Sequence, residues 1–212
     1  MFADRTEAGR ALADRLAGMD LADPVIFALP RGGVPVALPV ADRLNAPLDL
    51  LLVRKLGAPG QPELAVGAVV EGAEPVINAS VLRAFGLAPG DLAAQVDAKR
   101  AEIAARRALW LAGRDPVPVA GRTAVVVDDG IATGATMRAA LRGLAARGPA
   151  RVILAVPVAP AEVIADLAPL VDRAVCLDTP DPFYAVGAHY RVFDQVADDA
   201  VARMLSGQSR GG

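Results

Sequence analysis

The sequence is poor in the residues that most often build metal sites and disulfide frameworks. Its 212 residues include one cysteine, Cys176, and one histidine, His189, and only 4% are aromatic. A lone cysteine excludes an internal disulfide, and a lone histidine cannot by itself form a metal site. Cys176 lies in an apolar run, which favours a buried small hydrophobe over a nucleophile. His189 is interpreted as a structural residue.

Long apolar runs and an excess of one charge are also missing. Hydrophobic residues make up 54% of the chain, yet no uninterrupted run approaches the roughly 20 residues needed to span a bilayer. Asp4, Arg5 and Glu7 interrupt the N-terminus where a signal peptide would be apolar. The net charge of −2 and pI near 5.4 provide no broad basic field for nucleic acid. We expect a cytoplasmic protein that binds neither membranes nor nucleic acid.

One stretch, residues 125–136, changes from apolar to acidic to Gly/Thr-rich within twelve residues. Thr123–Val127 is a β-branched run typical of a buried parallel strand, and Asp128 and Asp129 follow it at its carboxyl end. The Gly/Thr turn then leads into a helix over about 137–147, whose N-terminus suits a phosphate. An ordinary turn in which the aspartates cap the helix is the alternative.

The two halves of this stretch call for one ligand with two kinds of group. Ionised carboxylates only accept hydrogen bonds and repel phosphate, so Asp128 and Asp129 should bind hydroxyls or a metal. The turn that follows them should bind a phosphate. A phosphate joined to a vicinal diol, as in a ribose 5-phosphate, satisfies both halves.

The string closely resembles the motif by which type I phosphoribosyltransferases bind 5-phosphoribosyl-1-pyrophosphate (PRPP). The resemblance implies an α/β fold with a central, mostly parallel five-stranded sheet flanked by helices. It implies that Asp128 and Asp129 hold the ribose hydroxyls and act in catalysis. It also implies that the turn binds the 5-phosphate through Gly130, Ile131, Ala132, Thr133, Gly134, Ala135 and Thr136.

Two further segments end predicted strands and carry cations. Pro24–Leu29 precedes Arg31, Gly32 and Gly33, where glycines allow close approach of a ligand and arginine offers a fork for phosphate oxygens. Leu48–Val53 precedes Arg54 and Lys55. These residues resemble the family's pyrophosphate-binding positions, with Arg31 and Lys55 also placed in catalysis. A tight turn with solvated side chains is the alternative for each.

The remaining chain is interpreted as one phosphoribosyltransferase domain over residues 1–212 with additions. Thr6–Met19 is predicted to be a peripheral helix, and Leu56–Glu63 a mobile loop that closes over substrate. Residues 57–121 form an insertion of loop, hairpin and a long helix over Asp91–Leu111. Charged residues of that helix, Lys99, Arg100, Arg106 and Arg107, could contact solvent, a second subunit or a phosphate. The first two readings are favoured, and we expect a homodimer.

Residues 179–212 are predicted to form a small hood and a C-terminal helix over Asp194–Leu205. Four of the eight aromatic residues fall between positions 180 and 193. The segment resembles the hood of purine salvage enzymes, which implies that Phe183 and Tyr184 contact the base. Core packing of a terminal turn is the alternative.

The resemblance implies a Mg²⁺-dependent transfer of phosphoribose from PRPP to a nitrogenous base in nucleotide metabolism. Mg²⁺ would be bound mainly by PRPP, and by Asp128 and Asp129 only through water. Ala132 stands where hypoxanthine–guanine enzymes carry an aspartate. This carboxylate is missing here, as it is in adenine and orotate enzymes, so the acceptor base stays undetermined. A PRPP-binding regulatory protein is the alternative function. A hydrolase is weaker, because no nucleophile–base pair supports it.

Overall fold

The computed structural model describes residues 1–58 and 61–207, with the backbone alone at 61–65. Eight strands and seven α-helices lie along the described residues. Their bounds are α1 Arg5–Ala17, β1 Pro24–Ala28, α2 Gly33–Leu44, β2 Leu48–Leu50, β3 Val53–Ala58, β4 Gln61–Val70, β5 Val76–Ile77, α3 Ala79–Ala84, α4 Ala93–Leu111, β6 Thr123–Val127, α5 Ala135–Ala145, β7 Arg151–Val158, α6 Ala161–Leu167, β8 Arg173–Asp178 and α7 Asp198–Gly207.

The central sheet has five parallel strands in the order β2-β1-β6-β7-β8. Its middle strands are almost entirely apolar, because both faces of a parallel sheet are covered by helices. Helices α1, α2, α4 and α7 pack on one face, and α5 and α6 on the other. From β1 the chain adds β2 on one side, and from β6 it adds β7 and β8 on the other side. The connections therefore diverge between β1 and β6, and a crevice opens at the carboxyl ends of these two strands. The predicted fold class is confirmed.

The segment after β2 differs from the prediction. The chain leaves the central sheet after Leu50, and residues from Val53 onward form β3 of a separate antiparallel sheet, β3-β4-β5. The prediction of a loop over Leu56–Glu63 is therefore wrong, because Leu56–Ala58 belong to β3 and the backbone from Gln61 onward belongs to β4. Residues 59 and 60 lie outside the described residues. Glycine and proline indicated a loop, but the pairing accommodates Gly57 at a register shift, where a bulge suits glycine.

The helix predictions hold with shifted ends. Helix α4 begins at Ala93, because Asp91 lies in a preceding 3₁₀ turn and accepts the Ala88 N–H at 2.8 Å instead of capping α4. Helix α7 begins at Asp198 and not at Asp194 as predicted. Helix α1 is not peripheral, since it packs along α2 and buries Leu12 and Leu16 completely. Residues 208–212, the last of the predicted hood segment, lie outside the described residues.

Helix α4 is fixed beside the edge strand β2 by a buried charge network. Asp49 of β2 is 2% exposed and accepts two hydrogen bonds from Nη2 of Arg107, at 3.0 and 3.2 Å. The Arg107 Nη1 donates to Glu71 at 3.0 Å. Asp49 also accepts the Val117 N–H at 2.8 Å. Arg107 is therefore a structural residue and not available to solvent, a second subunit or a phosphate.

Burial also shifts the pKa values at the margin of this network. Desolvation raises the pKa of the Glu71 carboxyl, although the nearby Arg107 opposes the shift. Desolvation lowers the pKa of the Arg147 guanidinium, which lies over the Phe27 ring at 5.0 Å from its centroid. Both shifts show charges held away from water, so the network is costly to break on one side.

Replacing Arg107 by methionine should lower the free energy of unfolding by roughly 3 kcal/mol, because it leaves Asp49 buried and charged without its main partner. The matching fall in Tm, measured by calorimetry, should be about 10 °C for a chain of this size. Arg100→Met is the control on the same helix. Arg100 pairs at 3.6 Å with Glu74, whose side chain is 93% exposed, so its loss should change Tm little. Equal effects of the two variants would contradict the assignment.

Candidate functional site

The acidic pair lies at the carboxyl end of β6, at the crevice between β1 and β6. The Asp129 N–H donates to Oδ1 of Asp128 at 2.8 Å. The turn that follows is tied to β7, since the Ile131 N–H donates to the Val158 carbonyl at 3.0 Å. Helix α5 begins after Gly134, which has a left-handed φ of 75° and makes no side-chain cap. The aspartates do not cap α5, so the capping alternative fails.

The loop after β1 packs directly against the acidic pair. A methyl group at Gly32 would lie 2.0 Å from Oδ2 of Asp129, and one at Gly33 would lie 2.7 Å from the Val127 carbonyl oxygen. The Pro30–Arg31 peptide in this loop is cis. The loop after β1 and the acidic motif after β6, two of the three segments predicted to bind one ligand, therefore meet. Only glycine fits at the contact between them.

The three predicted pyrophosphate-side cations lie on two parts of the fold, the loop after β1 and strand β3. Arg31 lies between β1 and α2, where its Nη1 is 3.6 Å from a carboxylate oxygen of Asp198. Arg54 and Lys55 lie within β3 and not in the loop expected after β2. Arg54 donates from Nε to Glu102 at 2.5 Å, while the Lys55 side chain is exposed.

Sequence reasoning missed Arg5, which reaches the acidic pair from α1. Its Nε donates to Oδ2 of Asp129 at 2.8 Å, and its Nη1 donates to the Asp194 carbonyl at 2.8 Å. The guanidinium lies 3.8 Å from the centroid of the Phe193 ring. The Tyr190 hydroxyl donates to the backbone carbonyl of Asp129 at 2.5 Å. The first and last parts of the fold thus close over the second acid.

The predicted hood lies beside this cluster, with its two candidate base-binding residues in different environments. Phe183 is half-buried and stacks on His189, with ring centroids 5.3 Å apart. Tyr184 is 83% exposed. Tyr190 and Phe193 stack on each other and pack with the first residues of the chain. Core packing therefore describes Tyr190 and Phe193 and part of Phe183, which packs against the same cluster, whereas Tyr184 leaves its ring open to solvent.

Comparison with known proteins agrees with this arrangement of strands and loops. Residues 5–167 match the family model described as the phosphoribosyl transferase domain. The chain belongs to the phosphoribosyl transferase family. The match takes in both the loop after β1 and the acidic motif after β6, which the geometry brings together.

Two Mycobacterium tuberculosis proteins, each named provisionally as a phosphoribosyl transferase, are 48% identical to 97% of this chain. The chain spans about half the length of these relatives, 46% of each. The adenine phosphoribosyltransferase of M. tuberculosis is 32% identical over 85% of this chain and 65% of its own length. The crystal structure of TT1426 from Thermus thermophilus superposes with a TM-score of 0.85, at 44% identity over 96% of this chain and 97% of that chain.

In this member of the phosphoribosyl transferase family, burial raises the pKa of both acids. The pKa of Asp128 is raised well above its usual value, first by desolvation and then by the charge of Asp129. Desolvation also raises the pKa of Asp129, but the hydrogen bond and charge of Arg5 oppose that shift. Asp129 is therefore the acid whose charge is compensated inside the protein. Asp128 is the acid whose ionised form needs an external partner.

The acidic pair offers oxygen ligands of the kind that Mg²⁺ prefers. Among the side chains that the structure describes, those of residues 1–58 and 66–207, no group of three or more His, Cys, Asp or Glu could hold a metal ion. Arg5 already occupies one oxygen of Asp129. A cation here would need most of its ligands from a substrate or from water. The same described residues contain no helix long and apolar enough to cross a membrane.

Replacing Gly32 by alanine should lower Tm by several degrees, because the added methyl group overlaps the Asp129 carboxylate and one loop must move at a cost of about 1–3 kcal/mol. Gly90→Ala is the control. A methyl group at Gly90 would meet nothing within 4 Å, so that variant should unfold within about 1 °C of the parent. An unchanged Tm in Gly32→Ala would show that the two loops are not in contact.

Replacing Asp128 by asparagine should stabilise the protein at neutral pH. A raised pKa means that folding disfavours the ionised form, so the cost is present at neutral pH and disappears as pH falls below the usual aspartate value. We expect a gain of about 1 kcal/mol at pH 7.5, or about 2–4 °C in Tm. The gain should shrink towards pH 4. Denaturation at both pH values tests the sign, and a less stable variant at pH 7.5 would contradict it.

Proposed function

We propose that the protein transfers the phosphoribosyl group of PRPP to a nitrogenous base, with release of pyrophosphate. The observation that carries the proposal is the contact between the Gly32–Gly33 backbone and the Asp128–Asp129 pair. It brings a cation-bearing loop and a diol-binding acid pair to the two sides of one crevice. PRPP has a ribose diol between a 5-phosphate and a pyrophosphate, so it could use all of these groups at once.

The roles of the residues follow from charge and position. Asp128 and Asp129 would accept hydrogen bonds from the ribose hydroxyls and stabilise positive charge on the sugar. The turn over residues 130–136 would bind the 5-phosphate at the start of α5. Arg31, Arg54 and Lys55 would bind the pyrophosphate. Phe183 and Tyr184 would offer ring surface for the base.

The reaction would pass through an oxocarbenium-like sugar, as in glycoside cleavage. The bond from the anomeric carbon to the pyrophosphate oxygen breaks, and both electrons leave with pyrophosphate. The lone pair of a ring nitrogen forms the new bond, and its N–H proton passes to solvent. Mg²⁺, carried by the PRPP oxygens and held through water by Asp128 and Asp129, would neutralise charge on the leaving group.

Two features bear on the acceptor base. Ala132 leaves no carboxylate at the position where the resemblance places one in hypoxanthine–guanine enzymes. The 32% identical relative is named as an adenine phosphoribosyltransferase. Adenine is therefore the first base to test, and 6-oxopurines are disfavoured.

A PRPP-binding regulatory protein is the second candidate function. Its support is that Arg31 and Arg54 are both paired with carboxylates of this chain, which would suit binding without turnover. The enzyme is favoured because Arg31, Arg54 and Lys55 are all present, whereas a sensor needs no machinery for pyrophosphate departure.

Incubation with PRPP, Mg²⁺ and single bases (adenine, hypoxanthine, guanine, orotate or uracil) should release pyrophosphate with one class of base only. Asp128→Asn and Asp129→Asn should each lower that rate at least about 100-fold, since each removes charge that stabilises the transition state. Asp97→Asn is the control, because Asp97 is exposed on α4. Tight PRPP binding without base-dependent release would favour the regulator, and full activity in both variants would refute the site.

A further inference from the structure

Helix α4, which belongs to the insertion, carries a cation opposite Arg31. Oδ1 of Asp198, at the start of α7, lies 3.6 Å from Nη1 of Arg31. The other oxygen of the same carboxylate accepts a hydrogen bond from Arg106 of α4. One carboxylate therefore separates two guanidinium groups, and the side chains of all three residues are about one third exposed.

The same arrangement recurs at Arg54. Glu102 of α4 accepts from Nε of Arg54 at 2.5 Å through one oxygen and from Nζ of Lys99 at 2.9 Å through the other. The hydrogen bond from Lys99, followed by that from Arg54, lowers the pKa of Glu102. Two of the three cations assigned to pyrophosphate are thus each joined, through a shared carboxylate, to a cation of α4.

The spacing of the residues on α4 joins the contacts around Asp198 and those around Glu102 into one continuous surface. Lys99, Glu102 and Arg106 lie three, four and seven residues apart, so they share one face of the helix over about 10 Å. Arg107, next in sequence, points to the buried Asp49 and fixes the helix. The Arg106 guanidinium lies 5.3 Å from the centroid of the Trp110 ring. The cations of α4 are therefore held by a rigid helix.

The carboxylate of Asp198 fits this position poorly. Its Oδ1 is buried and has no hydrogen-bond partner among the described residues, and its distance of 3.6 Å from Arg31 is too long for a hydrogen bond of good geometry. A phosphate group carries more charge and three terminal oxygens, so it could bond to both guanidinium groups at once. Among the described residues, this surface joins four cations, Arg31, Arg54, Lys99 and Arg106, to the two carboxylates of Glu102 and Asp198.

We propose that α4 forms a wall of the pyrophosphate site, with Lys99 and Arg106 as further diphosphate-binding residues. Glu102 and Asp198 are internal anions whose place the diphosphate takes. This proposal rests on the proposed use of PRPP. It gives the insertion a role in binding the leaving group, and it reverses the reading of Lys99 and Arg106 as residues that contact only solvent or a second subunit.

Opposite effects of two substitutions test the proposal. Arg106→Gln should weaken binding of Mg²⁺–PRPP and of inorganic pyrophosphate about tenfold, the loss expected for one charge-assisted hydrogen bond. Asp198→Asn removes the competing charge, so it should tighten both by several-fold. Neither should alter the affinity for ribose 5-phosphate, which lacks the diphosphate. Isothermal titration calorimetry gives all three affinities.

Arg100→Gln is the matched control, because Arg100 lies on the same helix and pairs with the exposed Glu74. It should change none of the affinities. Calorimetric Tm values show whether each variant is folded. A folded Lys99→Gln variant should also bind pyrophosphate more weakly than the parent. This result would be a second test of the proposal, independent of Arg106→Gln.

The outcomes separate this proposal from the proposed function. Binding of PRPP by the parent with unchanged pyrophosphate affinity in Arg106→Gln, Lys99→Gln and Asp198→Asn would overturn the role of α4 and leave the function standing. Binding of inorganic pyrophosphate with the expected opposite changes, but no binding of PRPP, would overturn the function and support the anion site. Binding of neither ligand by the parent would overturn both.

Discussion

The constraint on which the site depends is a lack of space between two backbones. The loop after β1 approaches the end of β6 so closely that a methyl group at Gly33 would lie 2.7 Å from the Val127 carbonyl oxygen and 3.0 Å from the Cα atom of Asp128. Because neighbouring parallel strands hold the two loops in register, this contact fixes the width of the crevice. Arg31 on one side and the turn after Asp129 on the other are positioned by it, and the remaining groups attach around them.

Three of the charges around the crevice are compensated before any ligand binds. Asp129 pairs with Arg5, Arg31 with Asp198, and Arg54 with Glu102. Each pair lowers the cost of holding a charge away from bulk water. The cost reappears on binding, because a ligand must exchange with an internal partner, and only the difference between the two sets of contacts contributes to affinity. Such exchange favours ligands with more charge than a carboxylate.

Sequence patterns predicted what is local and periodic. The β-branched run before Asp128 and the apolar runs before Arg31 and from Arg151 identified three neighbouring strands, because a strand buried on both faces must be apolar along its whole length. The position of Asp128 and Arg31 at the carboxyl edge of the sheet then followed from the direction of their strands alone. The contact between the two loops was not predicted, since glycine also occurs in turns without neighbours.

The missed features depend on pairs that are distant in the chain. Arg5 and Asp129 are 124 residues apart, and a single arginine near an N-terminus resembles any solvated side chain. Arg107 was grouped with its neighbours on α4. Consecutive residues of a helix point in different directions, so Arg107 pairs with the buried Asp49 while Arg106 pairs with the partly exposed Asp198. Strand β3 was hidden because Gly57 and the prolines nearby favour loops, whereas the antiparallel partner that overrides this preference lies further along the chain.

The link between α1 and the hood has a consequence for the order in which the molecule is built. Asp129 is enclosed by Arg5 from one end of the fold and by Tyr190 and Phe193 from the other. During synthesis the ribosome releases β6 and its acids while the residues that complete their enclosure are still to be made. The parallel sheet lacks β7 and β8 at that stage. A nascent chain stalled before residue 190 would therefore lack the Tyr190 hydrogen bond to Asp129 and the Phe193 ring beside Arg5, and the crevice is completed only as the hood folds back onto α1.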